Sequence, residues 1–322
     1  MIFRRSSSSR SHLPREAAQE GSENSQILAY AAMEYMKERK IRRRWGLFFK
    51  LFFVGYLILI AYWMFQDSNP DILEPHTALI SIDGVIGLEE YSSHNIIDSL
   101  GAAFESENAR GIILAINSPG GTPVQAARIN EEILRLRARY PGKPFHVVIG
   151  DICASGGYYI AVAAERIHAH PSSLVGSIGV ILNGFGFTGA MEKLGIERRL
   201  VHSGDNKSML DPFSPVQPEH YRHVQAMVDD VHDQFIQAVK DGRSGRLADD
   251  PDIFSGLVWS GRKARELGLI DDFGSVGGVA RDVIGEELLV DYTKYPGVFE
   301  QVRREIGVSI SDLLSIGAPR FQ

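Results

Sequence analysis

Apolar positions along this chain follow two patterns. Between Leu47 and Phe65 nearly every residue is apolar, with Lys50 and Gly55 the only interruptions. About nineteen helical residues at ~1.5 Å each cover the hydrocarbon core of a bilayer. Further on, apolar residues come in shorter runs punctuated by glycine-rich turns. Gly111 to Asn117 reads as a strand, Thr122 to Arg139 as a helix, Phe145 to Gly150 as a second strand, and a turn then leads into a helix from Ser155. Pro218 to Asp241 places Val224, Met227, Val228, Val231, Phe235 and Val239 on one stripe, which predicts an amphipathic helix packed on a core. Ser260 is placed to cap a further helix beginning Gly261-Arg262-Lys263-Ala264. Strands alternating with helices imply an α/β fold.

The flanks of the long apolar run decide how it is read. Trp45, Tyr62 and Trp63 lie at its ends, where aromatic rings anchor at a membrane interface, and Lys50 is close enough to one end to snorkel. Lys37, Arg39, Lys40 and Arg42 to Arg44 precede the run, whereas Asp67, Asp71 and Glu74 follow it. Segment 46–66 is therefore expected to be a single transmembrane helix, with the N-terminus cytoplasmic and the rest of the chain outside the inner membrane, in the periplasm of a Gram-negative cell. A cleavable signal peptide is disfavoured, because the run lies far from the start and lacks a small-residue cleavage site. The expected organisation is a cytoplasmic tail over 1–45, polar at its start and partly disordered, then the membrane helix, a linker over 67–76, a globular domain over 77–290 and an extension over 291–322.

With 44% of the chain hydrophobic, the stretch 77–290 is long enough to bury a sizeable core. A net charge of −6 argues against a nucleic-acid partner. The chain has no CxxC, HExxH or Walker-type phosphate loop, so neither a metal nor a nucleotide cofactor is inferred. Cys153 is the single cysteine, which removes intrachain disulfides and reads as a small buried residue behind a turn.

Three segments carry the residue types of nucleophilic catalysis: Asn117-Ser118-Pro119-Gly120-Gly121, Ala154-Ser155-Gly156-Gly157-Tyr158-Tyr159 and Ser203-Gly204-Asp205-Asn206-Lys207-Ser208. A serine hydroxyl attacks only with a proton acceptor, an exposed perch and donors aimed at the developing oxyanion. Glycine pairs bring backbone N–H groups to a carbonyl with no Cβ in the way, so Gly121 and Gly156 are the candidate oxyanion donors, with Gly120 shaping the turn. Both loops fall where a strand ends and a helix N-terminus begins, which favours negative charge. Ser155 is the candidate nucleophile. Of the histidines, His168 and His170 alternate within a short strand leading to Pro171, His146 opens a buried-looking strand and His202 precedes the lysine loop; none makes a convincing partner for the serine. Lys207 follows a strand-like Arg198 to His202 run in a polar loop that Gly204 can turn inward, and is the candidate base. A lysine is a base only when neutral, so the site has to desolvate it, with the hydroxyl of Ser177 or Ser208 orienting the amine.

These motifs, in this order, resemble the signal peptide peptidase A family of membrane-bound serine peptidases, of the S49 type. The resemblance covers about residues 77 to 285 and adds Ile80-Ser81-Ile82-Asp83-Gly84-Val85-Ile86, Val175-Gly176-Ser177-Ile178-Gly179-Val180, Pro212-Phe213 after Lys207-Ser208, and Gly261 to Asp271. It implies a ClpP/crotonase-like fold, a spiral of repeated ββα units, with Ser155 as nucleophile and Lys207 as general base. Related ClpP peptidases carry a histidine where this chain has Val180, which favours the Ser/Lys branch. Double-length members carry two copies of the domain, and no second Ser-Gly-Gly-Tyr occurs here. Single-copy members resemble rings whose serine and lysine come from neighbouring chains, which implies a homo-oligomer.

The expected function is a membrane-anchored serine endopeptidase acting on hydrophobic peptides such as residual signal peptides. Two readings from other classes stand beside it. A crotonase-like acyl-CoA enzyme would use the same oxyanion loop on a thioester but meets little CoA outside the cytoplasm, and a catalytically silent membrane scaffold would keep the fold without needing Lys207.

Overall fold

The computed structural model describes residues 45–60, 62, 73–87 and 91–295. Its contacts divide the chain into two units, 1–68 and 69–322. In the first, residues 45–60 form helix α1, whose Leu51, Phe52 and Ile58 are exposed. This helix is the leading part of the expected span 46–66; apart from Tyr62, the remainder of that span lies outside the described residues, as do the tail over 1–44, most of the linker and 296–322 of the extension. Among the described residues no helix is long and apolar enough to cross a membrane.

The second unit is a mixed α/β domain. Its elements run β1 (His76–Asp83), α2 (Ser93–Glu105), β2 (Ala109–Ser118), α3 (Pro123–Arg139), β3 (Phe145–Ala154), α4 (Gly156–Ala161), β4 (Arg166–Ala169), β5 (Leu174–Gly176), α5 (Thr188–Leu194), α6 (Pro218–Gly242), β6 (Val258–Ser260), α7 (Gly261–Glu266), β7 (Asp272–Phe273), α8 (Val276–Val279) and β8 (Leu289–Asp291). The sheet has the order β6-β5-β3-β2-β1-β8, and β4 and β7 branch from β3. Only the β5–β6 pair is antiparallel. Burial explains the parallel centre: β2 reads Ile112-Ile113-Leu114, apolar on both faces, as a strand covered on both sides must. Ile112, Leu114 and Ile116 join Leu100, Phe104, Ile129 and Ile133 of α2 and α3 in the main core, while Ile113 meets Val148, Val279 and Ala280 in a small second cluster.

Local chemistry sets the element ends. Ser92 caps α2 by accepting the Asn95 N–H, and Pro123 opens α3 where its missing donor is not needed. Lys143 closes the other end of α2, donating from Nζ to the carbonyls of Phe104 at 2.9 Å and Ser106 at 2.6 Å. Ser260 caps α7 as its sequence predicts.

The strand expected over Phe145 to Gly150 runs on to Ala154, because its two halves find different partners. His146 to Ile149 pair with β4, Ile152 to Ala154 pair with β5, and the register against β2 slips between Ile116 and Ser118. Asn117 fills this fork. Its Nδ2 donates to Asp83 at 2.9 Å and its Oδ1 accepts the Ile152 N–H at 3.2 Å. The fork carries the end of β3, and with it Ser155, away from β4.

Two sequence expectations need correction. Arg198 to His202 forms no strand, since among the described residues no strand lies alongside it to pair. On α6 the expected apolar stripe packs only at its C-terminal half, where Phe235 and Val239 are buried; Met227 is 53% exposed. The core of one chain does not reach the first turns of this helix, and Ile181, Leu182, Phe185, Val201 and Val216 in the preceding segment are exposed as well.

His146 and His168, expected on separate strands, meet across β3 and β4 with ring nitrogens 3.4 Å apart and both rings buried. Burial pushes the His146 imidazole down to about 4, helped by His168, Arg166 and Arg137 and opposed by Asp271. Burial likewise lowers His168, against Asp271 and Asp272. A histidine whose folded value is depressed contributes stability above its ordinary value and loses it as the pH falls. The thermal unfolding midpoint of the full chain is therefore expected to fall as the pH drops from 6.5 towards about 4, and His146→Phe to flatten that dependence. A wild-type midpoint that stays level over this interval would contradict the assignment.

Candidate active site

Ser155 terminates β3 and stands at the N-cap of α4 with φ 52° and ψ −124°. A non-glycine residue in this region costs on the order of 1–3 kcal/mol and persists only where its surroundings over-determine it. Three contacts do so. The Ser155 N–H donates to the Gly176 carbonyl at 2.9 Å, the Tyr159 N–H donates to the Ser155 carbonyl at 3.0 Å, and Gly120 lies so close that a methyl group there would come within 2.8 Å of the Ser155 Cβ. The helix behind is fixed in turn: Tyr158 is fully buried with its hydroxyl on the Leu269 carbonyl at 2.7 Å, and Asn130 donates to the Tyr159 carbonyl at 2.7 Å. Cys153 is buried beneath the turn, and burial pushes its thiol up, away from the reactive thiolate.

The loop after β2 is clamped by Ile86. The Ile86 N–H donates to the Gly120 carbonyl at 2.8 Å, and the Ile86 carbonyl accepts the Thr122 N–H at 3.1 Å. Those bonds flank Gly121 and leave its own N–H unused, while the Gly120 N–H is taken by the Ser118 hydroxyl at 3.2 Å. Only glycine fits at 121, because a Cβ would overlap the Ile86 carbonyl oxygen. Gly156, the first residue of α4, has the free N–H of a helix N-terminus, and a methyl group on it would lie 3.2 Å from the Gly121 nitrogen. Among the described residues neither N–H meets an acceptor, so two unpaired donors lie close together at the turn that carries Ser155. Such a pair can hold an oxyanion.

Lys207 is placed differently. It lies in a turn, its N–H on the Gly204 carbonyl at 3.1 Å, and its side chain is exposed in the single chain with no hydrogen bond or ion pair among the described residues. The expected burial of its ammonium is thus not found among the described residues. Ser177, at φ 51°, donates its N–H to Leu257, and Ser208 is half-buried; neither hydroxyl meets Lys207. Six of the histidines make other contacts. His146 and His168 pair with each other, His170 accepts from the Ser172 N–H, His202 donates to the Gly204 carbonyl, His220 meets Asn206, and His232 donates to the Ile178 carbonyl.

Residues 137–284, which include Ser155 and Lys207, match the model of peptidase family S49. Over that segment the chain is similar to peptidase family S49. Among curated relatives it is 30% identical over 223 residues, 66% of this chain and 64% of the relative, to a putative signal peptide peptidase SppA of Enterococcus faecium. It is 36% identical over 224 residues to Protease 4 of Salmonella typhi, covering 67% of this chain and 35% of that one. A 45% identity over 186 residues links 58% of it to 25% of a Brucella melitensis protein called Na(+)/H(+) antiporter NhaA. The chain spans less than two thirds of each of these relatives, and a match to one quarter of a long protein carries nothing of that protein's transport name. The family match falls on a mixed α/β domain with a parallel-rich sheet, and two of these relatives carry peptidase or protease names.

Sequence reasoning missed the residues that brace the site. Asn117 in the β3 fork, Ile86 clamping Gly121, and the β6 residues beside Gly176 act through long-range pairings that leave no local pattern. The one available signal was the proximity of Asn117 to the glycine pair.

Proposed function

We propose that this chain is a membrane-anchored serine endopeptidase with a Ser/Lys dyad on a ClpP/crotonase-like spiral fold. The observation that carries the reading is the pair of free N–H groups at Gly121 and Gly156 close to a serine held at φ 52°. Ser155 attacks the peptide carbonyl, Lys207 takes its proton, the two N–H groups hold the tetrahedral oxyanion, and the lysine then protonates the leaving amine. Lys207 works from a neighbouring protomer in a homo-oligomer. Its exposure in the single chain and the exposed apolar residues between Ile181 and Val216 support that arrangement, since a neighbour would cover both. The exposed apolar face of α1 and the basic residues before it support the anchor, with the catalytic domain extracytoplasmic. A cleft held near the bilayer suits hydrophobic peptides, including residual signal peptides.

The test is hydrolysis of a fluorogenic hydrophobic peptide by the detergent-solubilised full chain. Ser155→Ala and Lys207→Ala are each expected to fall to background, and an equimolar assembly of the two to recover part of the activity. Near-full activity in Lys207→Ala would remove the lysine from the mechanism, and two dead variants with no recovery would place both groups in one chain.

A further inference from the structure

Ser155 occupies a conformation that its own side chain disfavours, and its N–H has one acceptor, the Gly176 carbonyl. The position of that carbonyl is itself unusual. Gly176 has φ 115° and Ser177 φ 51°, so two successive residues leave the ordinary strand region at the end of β5. What holds them comes from β6 and from Leu257, the residue before it. The Ser177 N–H donates to the Leu257 carbonyl at 2.7 Å, and Val175 faces Trp259 in antiparallel register. A methyl group on Gly176 would lie 2.9 Å from the Leu257 oxygen, 3.1 Å from Cδ1 of Trp259 and 3.7 Å from its Nε1. The pyrrole edge of the indole thus occupies the space that Gly176 leaves empty.

The same ring carries an unpaired donor. Trp259 Nε1 is buried with no acceptor among the described residues. A hydrogen bond therefore does not explain the indole at this position, and a phenylalanine would bury an aromatic ring there without stranding an N–H. The shape of the pyrrole edge against Gly176 is what remains to explain it.

We propose that Trp259 is a positioning residue for the nucleophile: its indole edge, seated against Gly176, fixes the carbonyl that accepts the Ser155 N–H and so keeps the hydroxyl aligned with the free N–H groups of Gly121 and Gly156. The proposal rests on the peptidase reading of Ser155. It predicts that disturbing Trp259 slows the chemical step without weakening ligand binding, because the indole reaches the reacting atoms only through Gly176.

The test uses a fluorophosphonate probe on the detergent-solubilised full chain, with the rate of covalent labelling resolved into reversible binding and reaction. Wild type is expected to label at Ser155 and Ser155→Ala not to label. In Trp259→Phe the reaction rate is expected to fall about tenfold, as small misalignments of a reacting group do, with probe binding and the unfolding midpoint unchanged. A second measurement keeps Trp259 itself. The chain has three tryptophans, so in a Trp45→Phe/Trp63→Phe background Trp259 is the sole indole emitter, and its emission is expected to shift when Ser155 is labelled. Absence of labelling in wild type overturns the peptidase reading and this proposal with it. Labelling of wild type together with a Trp259→Phe rate equal to it, a rate loss accounted for by a smaller folded fraction, or an emission that does not move, overturns the Trp259 proposal alone.

Discussion

Replacing Gly121 by alanine is expected to lower peptide hydrolysis by about 10²–10³-fold, the usual effect of removing one oxyanion-hole donor. The added Cβ would overlap the Ile86 carbonyl oxygen, so the loop has to move. That movement breaks the Ile86–Gly120 and Thr122–Ile86 hydrogen bonds, which are what leave the Gly121 N–H free beside Ser155. The loss is expected in kcat more than in KM, since the donor acts on charge that develops in the transition state. Gly101→Ala is the matching control: it lies within α2 with open space where its Cβ would go, and is expected to be neutral or stabilising by up to ~1 kcal/mol. Comparing steady-state rates and unfolding midpoints of the two variants checks both statements. A Gly121→Ala enzyme retaining more than about a tenth of wild-type kcat would take that N–H out of the oxyanion hole.

The largest expected effect on stability comes from Asp271. Arg243, at the C-terminal end of α6, is only 1% exposed, and its guanidinium grips the Asp271 carboxylate at 2.8 and 3.0 Å while Nε donates to the Gly268 carbonyl at 2.9 Å. Asp271 also accepts the Ile167 N–H at 2.7 Å and a bond from Arg246 at 3.0 Å. Burial alone would raise this carboxyl, and the bonds from Arg243, Ile167 and Arg246 more than offset that, leaving it below the ordinary carboxylate range. Asp271→Ala leaves a buried guanidinium with one neutral acceptor. Breaking a buried pair from one side costs roughly 3–5 kcal/mol. For a domain of this size that lowers the unfolding midpoint by about 6–20 °C. Because the segment Leu267 to Asp271 also receives the Tyr158 hydroxyl behind the nucleophile turn, activity is expected to fall at temperatures well below global unfolding. Calorimetry of the full chain beside an activity–temperature profile measures both, and a midpoint within a degree or two of wild type would contradict the role given to this pair.

The elements that set the site were legible wherever their chemistry is local. The strand into Asn117, the turn at Gly120-Gly121, the helix from Pro123 and the helix beginning at Gly156 follow from runs of β-branched residues, paired glycines and a proline at a helix start, and all are present within a few residues of expectation. Ser260 as a cap is of the same kind. The Arg198 to His202 run failed as a strand because alternation supplies only one side of a ladder; a strand also needs a partner, and none is at hand among the described residues. The α6 stripe failed in its first half for a related reason. Periodicity reports which face is apolar and not whether this chain's core extends far enough to cover it.

The sequence by itself determined the turn at Ser155 and the glycine loops, because each rests on residues adjacent in the chain whose backbone freedom or side-chain chemistry leaves little choice. Only the tertiary structure decided that β3 forks between β4 and β5, that Ile86 leaves the Gly121 N–H unpaired, that β6 sets Gly176 and Ser177, and that Arg243 finds Asp271. These are contacts between residues tens of positions apart. The closure of the parallel sheet brings them together, and no pattern along the chain encodes the distance at which they meet.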